Sequence, residues 1–202
     1  MWTFVVAVII LIRHGQSTTN ELGLLVGRSN PPLTERGRDQ ARRLIPHLLE
    51  VKEVWSSPLE RAFDTARLAV PTLEPVVKES FIEVDYGSLD GRSLLDISVE
   101  QWQEFEAQHE RPLLDGESLD AVDERVNAEL EALLADGESL LHRSDEHLAI
   151  VSHVSPIKSA ISWALGVHGS AAWRMRVDNA SMTVLTSRRD SPVLVRSNVV
   201  PL

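Results

Sequence analysis

The chain has 202 residues and a formal net charge of −10, which argues against a nucleic-acid binder, whose contact face would be basic. Hydrophobic residues make up 43% and charged ones 25%, the balance of a soluble globular protein long enough to bury a sizeable core. Cysteine is absent, so disulfides, thiolate catalysis and cysteine-bound zinc are excluded, and a cytoplasmic location is the natural expectation.

Nearly every residue between Trp2 and Ile12 is aliphatic or aromatic, many of them β-branched, and the run reads as a strand buried on both faces. It is too short to span a bilayer, and it lacks the basic lead and small-residue cleavage site of a secretory signal. A core strand is therefore expected, ending abruptly at Arg13-His14-Gly15. Residues 27–32 (Gly-Arg-Ser-Asn-Pro-Pro) form a loop. Thr34 is placed to cap a helix whose apolar positions are Ala41, Leu44, Ile45, Leu48 and Leu49, with Pro46 ending its regular part. A strand follows over 51–55, then Ser56-Ser57-Pro58, with Pro58 expected in the first turn of a helix reaching Ala69.

A further strand is expected over 74–77 and a glycine-containing loop over 81–92. Helical patterns cover 99–108 and 119–134; the second has Ser118 as cap and Leu119, Val122, Val126, Leu130 and Leu133 on one face. The strand over 147–152 runs into His153, Pro156 starts a helix that Gly166 ends, and strands over 182–186 and 193–200 follow. This alternation predicts one α/β layered domain over 1–202, with a partly helical insertion at about 85–125 over the sheet and the active site.

Four sequence-distant places share a property. Arg13 and His14 follow a strand, Arg61 opens a helix just after one, His153 ends one, and Glu83 lies in a loop after one. Strand ends of a parallel sheet gather at one edge, so these groups are expected to converge. Two arginines and two histidines offer fork and ring donors to the oxygens of a phosphoryl group, giving an acidic protein a local cationic pocket. Helix N-termini after Ser57 and at Val154-Ser155 would add backbone donors.

Residues 11–17 (Leu-Ile-Arg-His-Gly-Gln-Ser) with Asn20 resemble the signature of the histidine phosphatase superfamily, the phosphoglycerate mutase-like family. The likeness continues through Leu33-Thr34-Glu35-Arg36-Gly37 with Gln40-Ala41, then Ser56-Ser57-Pro58-Leu59 with Arg61-Ala62 and Thr65-Ala66. Glu83 with Tyr86-Gly87 and Asp90-Gly91, then Gly116-Glu117-Ser118, Val151-Ser152-His153 and Asn179-Ala180-Ser181, complete it over nearly the whole chain.

The resemblance implies a three-layer sandwich, a mostly parallel central sheet with helices on both faces. It also implies a phosphatase that hydrolyses small phosphomonoesters through a phosphohistidine. In that reading neutral His14 attacks phosphorus, Glu83 protonates the leaving oxygen and later activates water, and Arg13, Arg61 and His153 hold the phosphoryl oxygens. Asn20, Gly27, Arg28 and the Val154 backbone N–H are expected to bind substrate or phosphate, with a solvated loop position an equal alternative for Arg28. No cofactor and no metal are expected, because the cationic side chains take the part of a magnesium ion.

The expected partner is a small phosphomonoester; neither nucleic acid nor membrane is, while an edge strand would allow a homodimer. Two departures stand out: Val154 occupies a position where the family often has glycine or histidine, and Asp90 replaces a commoner glutamate. A phosphoglycerate mutase on the same site is the rival reading. Mutases of the family have extra arginines in the insertion and a closing tail; here Arg111 stands alone and the chain ends directly after a strand. A non-catalytic phosphate-binding module would have lost His14 or Glu83. A P-loop is excluded because its motif is absent. His142 and His147 make an improbable metal pair, His47, His109 and His168 read as surface or capping residues, and Trp102, Trp163 and Trp173 read as core anchors outside the site.

Overall fold

The computed structural model describes residues 8–136, 146–168, 171–188 and 191–201. Residues 2–7 of the opening apolar run and His142 lie outside them. Six strands form one sheet: β1 (Val8–Arg13), β2 (Val51–Ser56), β3 (Val76–Val77), β4 (His147–Ser152), β5 (Met182–Arg188) and β6 (Ser191–Val199), in the order β3-β2-β4-β1-β5-β6. The first four of that order run parallel; β5 pairs antiparallel with β1, and β6 with β5. The helices are α1 (Thr18–Glu21), α2 (Glu35–Arg43), α3 (Glu60–Ala69), α4 (Val99–Ala107), α5 (Leu119–Ala135) and α6 (Val154–Leu165).

Alternation along β1 splits its side chains between two cores. Ile9 and Leu11 pack with Val122, Val126 and Leu130 of α5 and with Ile157, Ala160 and Ile161 of α6. Ile10 and Ile12 pack on the other face with Leu44, Leu48 and the small Ala62, Ala66 and Ala69 of α3. A strand covered on both faces needs a continuous apolar run, which is what the sequence shows there. The result is the three-layer sandwich: α2 and α3, the sheet, then α5 and α6.

Caps account for most helix starts. Thr34 accepts from the Gly37 N–H, Ser98 and Ser17 form capping boxes with Gln101 and Asn20, and Ser118 accepts from the Ala121 N–H. Pro46 falls in a short 3₁₀ turn, Ile45–His47, after α2 has ended. Three boundaries differ from expectation. Pro58 precedes the cap residue Leu59 rather than opening α3, Pro156 is the third residue of α6, and the strand near 74–77 shrinks to Val76–Val77 at the sheet edge. The α6 shift has a physical reason. His153 is still extended, at φ −130° and ψ −177°, so the strand passes directly into the helix, and Pro156 tolerates a first-turn position because no intrahelical partner awaits its missing N–H.

Candidate active site

The loop leaving β1 is pinned before it can bend elsewhere. The His14 N–H donates to the Ser152 carbonyl of β4 (3.0 Å), while the Ala180 N–H and Asn179 Nδ2 donate to the His14 carbonyl, both at 3.1 Å. The Gly15 N–H donates to Thr65 Oγ1 of α3 (3.0 Å), and Gln16 is held by Thr34 and Gln40. Gly15 sits so close to the Gly37 backbone at the start of α2 that a Cβ on either residue would overlap main-chain atoms. The glycines of two separate motifs thus make one contact: they let β1's end press against α2.

This frame orients His14, which is only 3% exposed. Its Nδ1 lies 2.6 Å from the Gly15 carbonyl and must be the protonated nitrogen, which leaves the lone pair on Nε2. Arg61 Nε donates to that Nε2 at 3.2 Å. The Arg61 guanidinium is completely buried, held by Nη1 on the Ser29 carbonyl and Nη2 on the Gly27 carbonyl, each at 2.8 Å. Asp90 in turn holds that loop, accepting from the N–H groups of Gly27 (3.0 Å) and Ser29 (2.6 Å). Asp90 therefore supports the site indirectly, through the carbonyls that aim Arg61.

The His153 ring lies 5.0 Å from that of His14, centroid to centroid. Its Nε2 is 2.7 Å from Ser57 Oγ; with the hydroxyl donating, Nδ1 carries the proton. That Nδ1 and Arg13 Nε are buried without a hydrogen-bond partner, while Arg13 Nη1 is tied to the Val177 carbonyl at 2.7 Å. Buried donors of this kind are costly unless an acceptor meets them, and an oxyanion is the acceptor they suit. Glu83 is 4% exposed, and its carboxylate accepts from the N–H groups of Val84 (2.9 Å), Val154 (3.1 Å) and Ser155 (3.2 Å).

Arg13, His14, Asn20, Glu83 and Val154 line one cavity of about 400 Å³, with Arg61 and His153 against His14 behind it. Asn20's amide oxygen accepts from Ser17 and Asn179, so its NH₂ end is what it has to offer a ligand. Three expected contacts take other roles. The α6 N-terminus, including the Val154 N–H, donates to the Glu83 carboxylate. Gly27 holds Arg61 and Asp90, and Arg28 pairs with Glu117 (3.1 Å) and Asp85 (3.7 Å) beside the Glu83 carbonyl without lining the cavity. The α3 N-terminus is occupied as well, its Glu60 N–H donating to Asn30.

Sequence reading missed the outer wall. Trp102 and Trp173 do pack on the core, yet both also face the cavity, together with Leu24, Leu94, Glu106 and Lys158. His109 is buried at the start of α5, as a capping residue rather than a surface one: its carbonyl accepts from the Asp120 N–H (2.9 Å) and its Nδ1 faces Asp120 (4.0 Å) and Asp123 (3.8 Å). These three side chains bring donor atoms within 4.8 Å of one another, close enough for a cation, but none of them lines the cavity.

A family model described as the histidine phosphatase superfamily (branch 1) matches residues 9–200. The chain belongs to this superfamily. Phosphoserine phosphatase 1 of Hydrogenobacter thermophilus is 30% identical over 199 residues, spanning 95% of this chain and 92% of its own. The 2,3-bisphosphoglycerate-dependent phosphoglycerate mutase of Thermoplasma acidophilum is 32% identical over 182 residues, spanning 87% and 85%. A solved histidine-to-alanine mutant of the Entamoeba histolytica phosphoserine phosphatase, in complex with phosphoserine, matches with a TM-score of 0.83 at 25% identity, over 95% of this chain and 96% of that one. The chain is thus a member of the histidine phosphatase superfamily with the α/β fold that its motifs implied.

The electrostatics of this histidine phosphatase keep both rings neutral. Burial first, then the Arg61 charge, pushes His14 and His153 well below the ordinary imidazole value. Burial also brings Arg61 down to about 10, which leaves it cationic at neutral pH. A neutral imidazole is what a nucleophile requires. It also has a cost in acid. Unfolded, each ring binds a proton below about pH 6.5; folded, it does not until the pH reaches its depressed value. Stability is therefore complete above about pH 6.5 and falls below it, by up to about 1.4 kcal/mol per pH unit for each ring. Urea unfolding in phosphate-free buffer should show that acid limb, and His14→Gln should remove one ring's share. An unchanged slope would contradict the neutral assignment.

Proposed function

We propose that this chain hydrolyses small phosphomonoesters by two in-line displacements at His14. In the first, the Arg61 Nε–H passes from His14 Nε2 to a phosphoryl oxygen, the freed Nε2 lone pair forms the N–P bond as the ester P–O bond breaks, and Glu83, as the carboxylic acid, gives its proton to the leaving oxygen. In the second, Glu83 takes a proton from water, whose oxygen attacks phosphorus and releases the imidazole and inorganic phosphate. Arg13, Arg61 and His153 bind the non-bridging oxygens and offset the charge developing on them, with Asn20 adding its NH₂. No metal enters these steps.

One observation carries the reading: a single imidazole, its tautomer set by the Gly15 carbonyl, turns its Nε2 to the buried Arg61 guanidinium, while Arg13 Nε and His153 Nδ1 of the same cluster are buried without a partner. His14 and Glu83 both stand in the cavity lining, which supports an enzyme over a non-catalytic phosphate-binding module.

The segment 85–125 contributes Tyr86, Leu94, Trp102 and Glu106 to the wall, in line with an insertion folded over the site of a single domain. Its Arg111 pairs with Glu104 on the exposed surface and is absent from the lining, which favours hydrolysis over mutase transfer. The composition supports a cytoplasmic location, and no helix among the described residues is long and apolar enough to cross a membrane. Pairing of two copies through an edge strand completes the proposal. Comparing phosphate release from a phosphomonoester panel with conversion of 3-phosphoglycerate to 2-phosphoglycerate tests the choice. Release with negligible isomerisation is expected; efficient isomerisation without release would make the chain a mutase.

A further inference from the structure

Beyond the phosphoryl cradle, the cavity wall holds one cation and one anion that the proposed reaction does not use. Lys158, on α6, is only 7% exposed. Its Nζ lies 4.1 Å from the Trp173 ring centroid and 3.4 Å from the Trp173 carbonyl, and no carboxylate of a described residue comes within 4 Å. An aromatic face and one long hydrogen bond compensate a buried ammonium only in part. Glu106, on α4, lines the same cavity, and among the described residues no cation comes within 4 Å of it. Burial lowers the Lys158 pKa, Glu106 and then Glu83 oppose that shift across the space, and Arg13 adds to it. Leu24, Leu94 and Trp102 supply apolar wall around them.

We infer that Lys158 and Glu106 form a leaving-group subsite for a zwitterion, so that the substrate is the phosphate ester of an amino-acid-like alcohol whose carboxylate meets Lys158 and whose ammonium meets Glu106. The inference rests on the phosphatase reading and extends it to a substrate class. An anionic leaving group alone would leave Glu106 facing a like charge, and a cationic one would do the same to Lys158. A dipolar group of net zero charge satisfies both, and the cavity of about 400 Å³ has room for it beside a phosphoryl group.

Three substrates isolate the two contacts. Phosphoserine carries both charges, 3-phosphoglycerate has a hydroxyl in place of the ammonium, and phosphoethanolamine lacks the carboxylate. The wild-type enzyme should favour phosphoserine over each of the others by about tenfold or more in kcat/KM. Lys158→Met should reduce kcat/KM for phosphoserine and 3-phosphoglycerate by a similar factor and abolish the preference for phosphoserine over phosphoethanolamine. Glu106→Gln, on the more exposed helix, should do the converse, abolishing the preference over 3-phosphoglycerate. Equal wild-type rates on all three, or a uniform loss across them in either variant, would overturn the subsite while leaving the phosphatase reading intact. Should Lys158→Met fail to fold, the wild-type ranking and Glu106→Gln decide the matter. Failure of the phosphatase reading looks different: no His14-dependent phosphate release from p-nitrophenyl phosphate, which would overturn both.

Discussion

Alanine at position 14 is expected to lower phosphate release from p-nitrophenyl phosphate by about 10⁶-fold, the order seen when a covalent nucleophile is removed from a preorganised site. No neighbouring group can substitute. The His153 ring is completely buried, its Nε2 lies on Ser57 Oγ, and unlike His14 it does not line the cavity. The variant should stay folded, because the main-chain bonds of residue 14 to Ser152, Ala180 and Asn179 do not depend on the side chain. It should also bind inorganic phosphate, since Arg13, Arg61 and His153 remain. Activity within tenfold of wild type in steady-state assays would move the nucleophile elsewhere.

Glutamine at position 83 should produce a loss that depends on the leaving group. Proton transfer by a positioned acid is worth about 10²–10⁴-fold, and an alkoxide needs it far more than a nitrophenolate does. The expected outcome is a drop of that size on an alkyl phosphate and a much smaller one on p-nitrophenyl phosphate, read as kcat under single-turnover conditions. A structural effect will accompany it. Both carboxylate oxygens accept backbone N–H groups, Oε1 from Val84 and Ser155 and Oε2 from Val154. An amide must turn its NH₂ toward one of these donors, at a cost of about 1–3 kcal/mol in stability. Equal losses on both substrates would leave Glu83 as a purely structural partner of the α6 N-terminus.

The legible part of this molecule is what lies at element ends. Arg13, His14, Arg61 and His153 could be placed from sequence because apolar runs fix where β1 and β4 stop and where α3 begins, and a parallel sheet gathers those stops at one edge. The two-sided burial of β1 could be read for the same reason. Backbone donors were harder. An N–H group at a helix start carries no sign of its partner, so the engagement of α6 by Glu83 needed the tertiary structure.

Loop charges behave alike. Arg28 was open between a substrate charge and a solvated loop position, and its pairing with Asp85 and Glu117, which come from distant segments, has no sequence signal. Trp102 and Trp173 obey helical and loop patterns that mark them as core, which they are; that one edge of such a residue also faces a cavity has no sequence signal. Asp90 could be suspected but not explained until its bonds to residues 27 and 29 linked it to Arg61.

The central claim is that Nε2 of His14 carries the phosphoryl group between the two displacements. Rapid quenching of a single turnover into base, followed by peptide mapping and fragmentation, locates the label directly. The expected result is a transient phosphate on Nε2 of His14, absent when Glu83 has completed hydrolysis. Phosphate on His153, on Nδ1 of His14, or on no residue at any time during turnover would contradict it.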